Sequence, residues 1–340
     1  MAAFHNCLDC FFASDDMWQI HFSYSVLNGQ PELIWKNFTA NYLQLPGFGF
    51  YRPLLGFTFL FDYLVYGINA MGWHLTSLIL YSGNVILIYL VVREATTKWQ
   101  KNSSIKAGFF SGALFTVSPL HCEAVCWLSA RADLLCGAFY LFSLWMFYKY
   151  LNRGKKIFLG LSSVTYLLSL LSKEIAIGLP AVVALVYFFW NKDDKKDDLK
   201  KRAITSLKAA TPFFLIAAIY LATRYFALGT VIGGYTGAIG ELTNTNLNFD
   251  WLDLGQLELL LIPIPELVWE RSILPLWTIR LGLIYCLCLA IARSVDQVKF
   301  QDWMLFLLAW SITTLLPIIN LWRMSDNLQS SRLFFFFTMP

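Results

Sequence analysis

The chain consists of long apolar runs separated by short polar segments. A run such as 73–92 is continuous and does not alternate with polar residues, which favours a helix over a barrel strand. A helix needs roughly 20 apolar residues to cross a hydrocarbon core of about 30 Å. About eight spans are therefore predicted, at 73–92, 107–121, 133–150, 157–172, 175–190, 209–227, 273–292 and 302–319.

Composition supports an integral membrane protein. Of the 340 residues 57% are hydrophobic and 14% are charged, whereas a soluble domain carries about 25% charged residues. The net charge of +4 is small, and the basic residues lie in short loops. That distribution indicates membrane orientation and no nucleic-acid partner.

The loops rich in Lys and Arg define the predicted orientation. They are 93–106, 151–156, 191–208 and 293–301, and they all fall on one side, which we assign to the cytoplasm. The opposite, outer face is periplasmic or lumenal and receives the remaining loops. Four parts follow: an outer region 1–72 with an acidic motif and an interfacial helix at 51–72, a core bundle 73–227, an outer loop 228–272 with a membrane-dipping segment, and C-terminal spans with an outer tail over 273–340.

Ionisable groups collect on the predicted outer face. They are Asp15, Asp16, Arg52, His121, Glu123, Arg131, Asp133, Lys173, Glu174 and Arg332. Such groups near a bilayer face a cavity or each other, so packing between helices is one reading. Adjacent carboxylates also suit a general base, and Arg and Lys suit phosphate. This second reading predicts a phosphorylated lipid substrate whose head group is transferred.

The stretch 118–135 contributes most of this chemistry. If it is one helix, Glu123, Trp127 and Arg131 share a face at i, i+4 and i+8 spacing. Metal binding by His121 and Glu123 stays open, since a loop would bring together side chains that a helix splays. No cofactor is expected otherwise, and a divalent metal is left open.

Two short motifs in the outer region stay open as well. Cys7 and Cys10 have CxxC spacing, which fits either a disulfide or redox pair or two small apolar residues. Asn37-Phe38-Thr39 is a glycosylation sequon that faces outward in this topology, although so short a motif recurs by chance.

Three blocks carry a family resemblance. The segments YRPLLGFTFLFDYLVYGINAMGWHLTSLILY, ALFTVSPLHCEAVCWLSARADLL and LLSKEIAIGLPAVV resemble the membrane region of the transmembrane O-mannosyltransferases with tetratricopeptide repeats, and of their bacterial relatives. The blocks occur in the family order, and the similarity extends from about residue 10 to 335. These enzymes are C-type glycosyltransferases. The resemblance therefore implies an all-α, multi-span helical bundle with a large first outer loop containing interfacial helices.

The resemblance also implies roles for individual residues. The donor would be a polyprenyl- or dolichyl-phosphate sugar, mannose-like, and the acceptor a protein or glycan hydroxyl on the outer side. Asp15 and Asp16 match the family's acidic motif, and Asp16 is preferred as the base. The leaving phosphate would be stabilised by Arg52, Arg131, Lys173 and Arg332, while Glu123, Glu174 and His121 would orient groups around it. Phe334 stands where the family usually has Tyr after this last arginine.

Two other functions remain under consideration. The family has a span before the acidic motif, and a further span and repeats after the matched region, so we expect a truncated form. This favours a non-catalytic remnant or assembly subunit as an alternative. A transporter or flippase of lipid-linked material would place charges in broken helices of inverted repeats. In this chain the charged residues lie at the ends of the predicted spans. Bacterial inner membrane and endoplasmic reticulum both fit the topology.

Overall fold

The computed structural model describes residues 2–13, 15–44, 49–97, 104–190 and 199–231. Regular structure in these ranges is helical. The α-helices are α1 (Asp16–Leu27), α2 (Glu32–Lys36), α3 (Leu55–Tyr66), α4 (Ala70–Thr96), α5 (Ser104–Val117), α6 (Cys122–Cys126), α7 (Arg131–Arg153), α8 (Lys156–Ser172), α9 (Leu179–Trp190) and α10 (Leu199–Leu228). Short 3-10 segments at Ala2–Asp9, Tyr42–Gln44, Pro119–His121, Leu128–Ala130 and Glu174–Gly178 connect or precede them.

Membrane-spanning character is clearest in the long helices. Among the described residues, three helices are long and apolar enough to cross a bilayer, namely α4, α10 and the unit Leu128–Arg153 that contains α7. Shorter apolar helices coincide with α3, α5, α8 and Glu174–Trp190. Helices thus occur at the first six predicted spans. The runs 273–292 and 302–319 lie outside the described residues, and the total of about eight spans stays a prediction.

Helix α7 is the centre of the bundle, because α4 and α8 pack on it and α10 packs on α8 and α9. The core includes the fully buried rings of Tyr81, Phe147 and Phe213. Small residues bring α7 and α8 close together. Ser143 Oγ donates to the Ser162 carbonyl at 2.7 Å, and Ser162 Oγ donates to the Ser143 carbonyl at 2.7 Å. Such reciprocal hydroxyl bonds are a common means of joining helices in lipid.

The α4–α5 contact depends on two glycines, Gly108 and Gly112, at GxxxG spacing. A Cβ atom added at Gly108 would lie 2.7 Å from the Tyr89 carbonyl oxygen. Only glycine therefore fits at this position, and the two backbones approach closely. The GxxxG spacing of Gly108 and Gly112 is visible in the sequence.

The outer region forms a second core against the start of α4 and α7. Phe22 of α1, Leu55 and Phe59 of α3, Trp73 of α4 and Leu128 pack together. The predicted interfacial helix at 51–72 is shorter in the structure. Helix α3 ends at Tyr66, and Gly67 turns the chain with a φ of 59° before α4 begins at Ala70.

Glu123, Trp127 and Arg131 do not share a helix face, because the stretch between the predicted spans 107–121 and 133–150 is not one helix. Helix α6 ends at Cys126, and Trp127 has an extended backbone with φ −98° and ψ 116°. The physical reason is a tertiary contact: the Ser129 N–H donates to the Asp16 carboxylate at 3.2 Å. A continuous helix would have directed that N–H to a carbonyl four residues earlier.

Two predictions for the outer region are also revised. Cys7 forms a disulfide with Cys126 and not with Cys10, with a Cα–Cα distance of 5.1 Å. The side chain of Asn37 in the sequon is only 2% exposed, and its Oδ1 accepts from Gln44 Nε2 at 2.9 Å. The folded chain therefore does not present Asn37 outward.

Candidate active site

The acidic motif, defined as Asp15 and Asp16, divides into two different environments. Asp15 is exposed, whereas Asp16, the first residue of α1, is 1% exposed. The Asp16 carboxylate accepts from the Ala13 N–H at 2.8 Å and from Ser129 Oγ at 3.0 Å, in addition to the Ser129 N–H. Burial raises the pKa of Asp16, and these hydrogen bonds oppose the rise only in part. The Asp16 carboxylate is therefore fixed by hydrogen bonds, and it binds a proton more tightly than an ordinary aspartate does.

Tyr42 connects the acidic motif to the basic residues. Its ring is buried, and the charges of Arg52, Arg131 and Asp16 all act on its phenol. Burial nevertheless raises the pKa of Tyr42, so the hydroxyl stays protonated at neutral pH. Asp16, Arg52 and Arg131 thus belong to one cluster of interacting charges.

Arg131 lies in a sealed ion pair with Asp62 of α3. Its Nη1 is 2.5 Å from Asp62 Oδ2, and both side chains are 0% exposed. Its other nitrogens donate to Ser77 Oγ at 3.2 Å and to the Trp73 carbonyl at 2.8 Å. The charge of Arg131 is therefore balanced within the fold, where it joins α7 to α3 and α4.

Lys173 is paired with Asp133 between α8 and α7. Its Nζ lies 2.6 Å from Asp133 Oδ1, and the two side chains are 11% and 1% exposed. Lys173 follows the last residue of α8 in an extended conformation, with φ −159° and ψ 139°. This extended residue lies between the predicted spans 157–172 and 175–190, and its side chain reaches Asp133 at the start of α7.

Arg52 and Glu174 form the most open of these pairs. Arg52 Nη2 donates to Glu174 Oε1 at 2.9 Å and Nε donates to Oε2 at 3.2 Å, in a two-pronged arrangement. The side chains are 13% and 30% exposed. Burial opposes the charge of Arg52, but the adjacent Glu174 carboxylate outweighs burial and raises the arginine pKa. A planar guanidinium of this kind at a rim matches carboxylate or phosphate oxygens.

His121 and Glu123 lie at the start of α6. His121 is 0% exposed, with Nδ1 2.9 Å from Tyr81 Oη and its ring against Phe115. Glu123 is half-buried in the first turn of α6. No group of three His, Cys, Asp or Glu residues suited to a metal is found in the part of the chain that the structure describes. The orienting roles of both residues stay predictions.

Comparison with curated proteins gives relatives of one kind. The protein O-mannosyl-transferase Tmtc1 of Drosophila melanogaster is 32% identical over 175 residues, which are 51% of this chain and 20% of that protein. The human protein O-mannosyl-transferase TMTC4 is 35% identical over 101 residues, 27% of this chain and 14% of the relative. Human protein O-mannosyl-transferase TMTC1 is 29% identical over 209 residues, 57% of this chain and 23% of the relative.

The chain resembles the protein O-mannosyl-transferases. The family resemblance inferred from the three sequence blocks is thereby confirmed. The matched region spans 14–23% of the length of these three relatives. No protein-family model matches the chain, and no solved structure matches it.

The structure adds site residues that the sequence reading missed. Asp62 is the partner of Arg131, and Ser129 holds Asp16. Arg224 of α10 is 2% exposed, donates to the Gly49 carbonyl at 2.9 Å, and lies close enough to Glu174 for its charge to act on that carboxylate. Asp62 and Arg224 were detectable as ionisable residues inside apolar runs, which ordinarily have a partner. The predicted cation Arg332 lies outside the described residues.

Proposed function

We propose that the chain is a membrane glycosyltransferase of the endoplasmic reticulum that moves mannose from a dolichyl- or polyprenyl-phosphate carrier to a protein hydroxyl on the lumenal side. The observation that carries the proposal is Asp16, a buried carboxylate that Ala13 and Ser129 fix by hydrogen bonds and that interacts electrostatically with Arg131. Relatives named protein O-mannosyl-transferases support the reaction class.

Asp16 is the proposed base of the transfer step. The acceptor hydroxyl oxygen attacks the anomeric carbon, and the carbon–oxygen bond to the lipid phosphate breaks. The bonding electron pair leaves with the phosphate, and the hydroxyl proton passes to Asp16. A carboxylate whose pKa is raised above its ordinary value takes up this proton more readily. Exposed Asp15 lacks the contacts that fix Asp16 in place.

The leaving phosphate is assigned to the Arg52 side of the cluster. Arg52 and Arg224 both act on Glu174, and Asp133, which also acts on Arg52, is paired with Lys173, so this group holds three cations and two carboxylates. By contrast, Arg131 and Lys173 each have their own carboxylate, and Arg131 is sealed. Arg131 is therefore a positioning residue in this proposal, and Arg52 is the group that meets phosphate oxygens.

The experiment is a transfer assay on the purified chain in lipid nanodiscs. Dolichyl-phosphate mannose and a Ser/Thr-rich peptide are supplied, and the peptide mass is followed for addition of one hexose. Addition that requires the lipid-linked donor supports the proposal. Addition from a nucleotide-linked mannose alone would contradict the donor class.

A second candidate is binding of lipid-linked sugar without transfer. It is favoured by the pairing of Arg52, Arg131 and Lys173 with carboxylates, which also suits a purely structural cluster. Saturable binding of dolichyl-phosphate mannose with an unchanged peptide in the same assay would establish this candidate and contradict transfer.

A further inference from the structure

Four cysteines meet where the N-terminal segment packs against α6. Cys7 and Cys126 are joined by a disulfide, while Cys10 and Cys122 carry thiols and are exposed. We call these four residues the cysteine cluster. The described contacts place the segment Ala2–Asp9 against both α4 and α6, so the cluster lies at a packed junction.

Each of the two thiols lies one helical turn from a cysteine of the disulfide. The Cys10 N–H donates to the Cys7 carbonyl at 3.2 Å, so Cys10 follows Cys7 by one 3-10 turn, in which side chains three apart are eclipsed. Cys122 and Cys126 are one α-helical turn apart on α6 and share a face. The disulfide therefore joins one cysteine of each segment, and the second cysteine of each segment lies one turn away from it.

A separate observation brings the remaining thiols together. The Cys10 and Cys122 side chains interact electrostatically, which places them near each other. Both are exposed to solvent, so a reagent can reach them. By contrast, Cys136 is buried in the bundle and bonded to Ser169 Oγ at 3.2 Å.

We propose that Cys10 and Cys122 form a second disulfide, which makes the cysteine cluster a two-disulfide clasp between the N-terminal segment and α6. The oxidant is a small or protein disulfide, such as glutathione disulfide. A thiolate of the cluster attacks it and releases one thiol. The second cysteine then attacks the mixed disulfide and releases the other thiol. Two cluster thiols are oxidised and one external disulfide is reduced to two thiols.

The consequence of the clasp is local. Cys7–Cys126 already closes a loop with a sequence separation of 119 residues. A second link beside it removes little further freedom from the unfolded chain. The expected result is therefore a defined connectivity rather than a large shift in thermal unfolding.

The connectivity is testable because acidic residues separate the cysteines of each pair. Cleavage before aspartate cuts between Leu8 and Asp9, and cleavage after glutamate cuts between Glu123 and Ala124. Double digestion isolates Cys7 in 1–8, Cys10 in 9–14, Cys122 in 95–123 and Cys126 in 124–132. The full chain is oxidised with glutathione disulfide, alkylated, digested without reduction and analysed by mass spectrometry.

We expect 9–14 linked to 95–123 together with 1–8 linked to 124–132. The proposal is overturned by alkylated Cys10 and Cys122 in the oxidised chain, by a link between 1–8 and 9–14, or by a link between two copies of 9–14. In the variants Cys10→Ser and Cys122→Ser, the remaining thiol should become alkylated while the Cys7–Cys126 link persists. No sugar donor takes part, so the result is independent of the proposed transferase activity.

Discussion

The Arg131–Asp62 and Arg52–Glu174 pairs use the same functional groups in opposite surroundings. The first has both side chains 0% exposed and further bonds from the arginine to Ser77 and Trp73. The second lies at a rim, 13% and 30% exposed, with Arg224 nearby as an additional cation. The sequence motif around Arg131 carries the family resemblance more strongly, yet the open pair is better placed to meet a substrate.

This difference teaches that an ionisable residue in an apolar chain has to be judged by its partner and exposure. A sealed arginine cannot exchange its carboxylate for a phosphate without leaving a charge buried. A rim arginine exchanges partners at lower cost because water compensates the displaced carboxylate. The following changes test whether the two pairs really differ in this way.

The largest effect is expected for Arg131→Met. It leaves Asp62 charged and buried without its cation, which costs about 3–5 kcal/mol in comparable buried pairs. Thermal unfolding in detergent, followed by intrinsic tryptophan fluorescence, should show a large fall in midpoint. In the control double variant Arg131→Met/Asp62→Leu, most of the loss should be recovered. Equal losses in the single and double variants would show that the pair is not the cause.

An intermediate effect is expected for Lys173→Met. Asp133 is 1% exposed but its lysine is 11% exposed, so the pair lies between the other two in burial. The loss should be about 1–3 kcal/mol, between the limits for buried and surface pairs. Chemical denaturation of the same preparations measures it. A loss larger than that of Arg131→Met would reverse the ranking by burial.

A smaller effect, on binding rather than folding, is expected for Arg52→Lys. The charge is kept, but the two-pronged hydrogen bonding to Glu174 or to phosphate oxygens is lost. Affinity for dolichyl phosphate should fall about tenfold, which corresponds to about 1.4 kcal/mol. Ligand-induced quenching of tryptophan fluorescence would report it. Unchanged affinity together with a large loss of stability would give Arg52 the structural role assigned to Arg131.

The smallest effect is a change of slope with pH. The pKa of Asp16 is raised on folding above its ordinary value of 3.8, so the folded chain holds this proton more tightly than the unfolded chain. The associated stability is present below pH 3.8 and is lost as pH rises through the folded pKa. Asp16→Asn should flatten this part of the stability curve, and Asp15→Asn should leave it unchanged. A slope that persists in Asp16→Asn would contradict the assignment.

Much of the helical fold was predictable from apolar runs. The predicted span 157–172 corresponds to α8 (Lys156–Ser172), and 73–92 lies within α4 (Ala70–Thr96). The breaks were harder to predict. The stretch between the predicted spans 107–121 and 133–150 breaks at Trp127, where Asp16, more than a hundred residues earlier, takes the Ser129 N–H. A contact so distant in sequence leaves no local pattern.

The candidate site was predictable in its members but not in its pairings. The sequence predicts Asp16, Arg52, Arg131 and Lys173 on one face. In the structure the first three interact electrostatically with Tyr42, and each of the three cations is paired with its own carboxylate. Which cation is fully buried depends on how α3 and α4 pack against α7. The spacing of residues along the sequence does not predict that packing. The Cys7–Cys126 disulfide was hidden for the same reason, since CxxC spacing indicates only a local partner.

The most direct test of the account compares mannosyl transfer by the wild-type chain, Asp16→Asn and Asp15→Asn under the same donor and peptide concentrations. If buried Asp16 is the base, its variant should lose about 10²–10⁴-fold in rate while still binding the lipid donor. Asp15→Asn should retain a rate within about threefold of wild type, since general acid–base catalysis is lost only at the reacting carboxylate. Equal rates for Asp16→Asn and wild type, or loss confined to Asp15→Asn, would contradict the account.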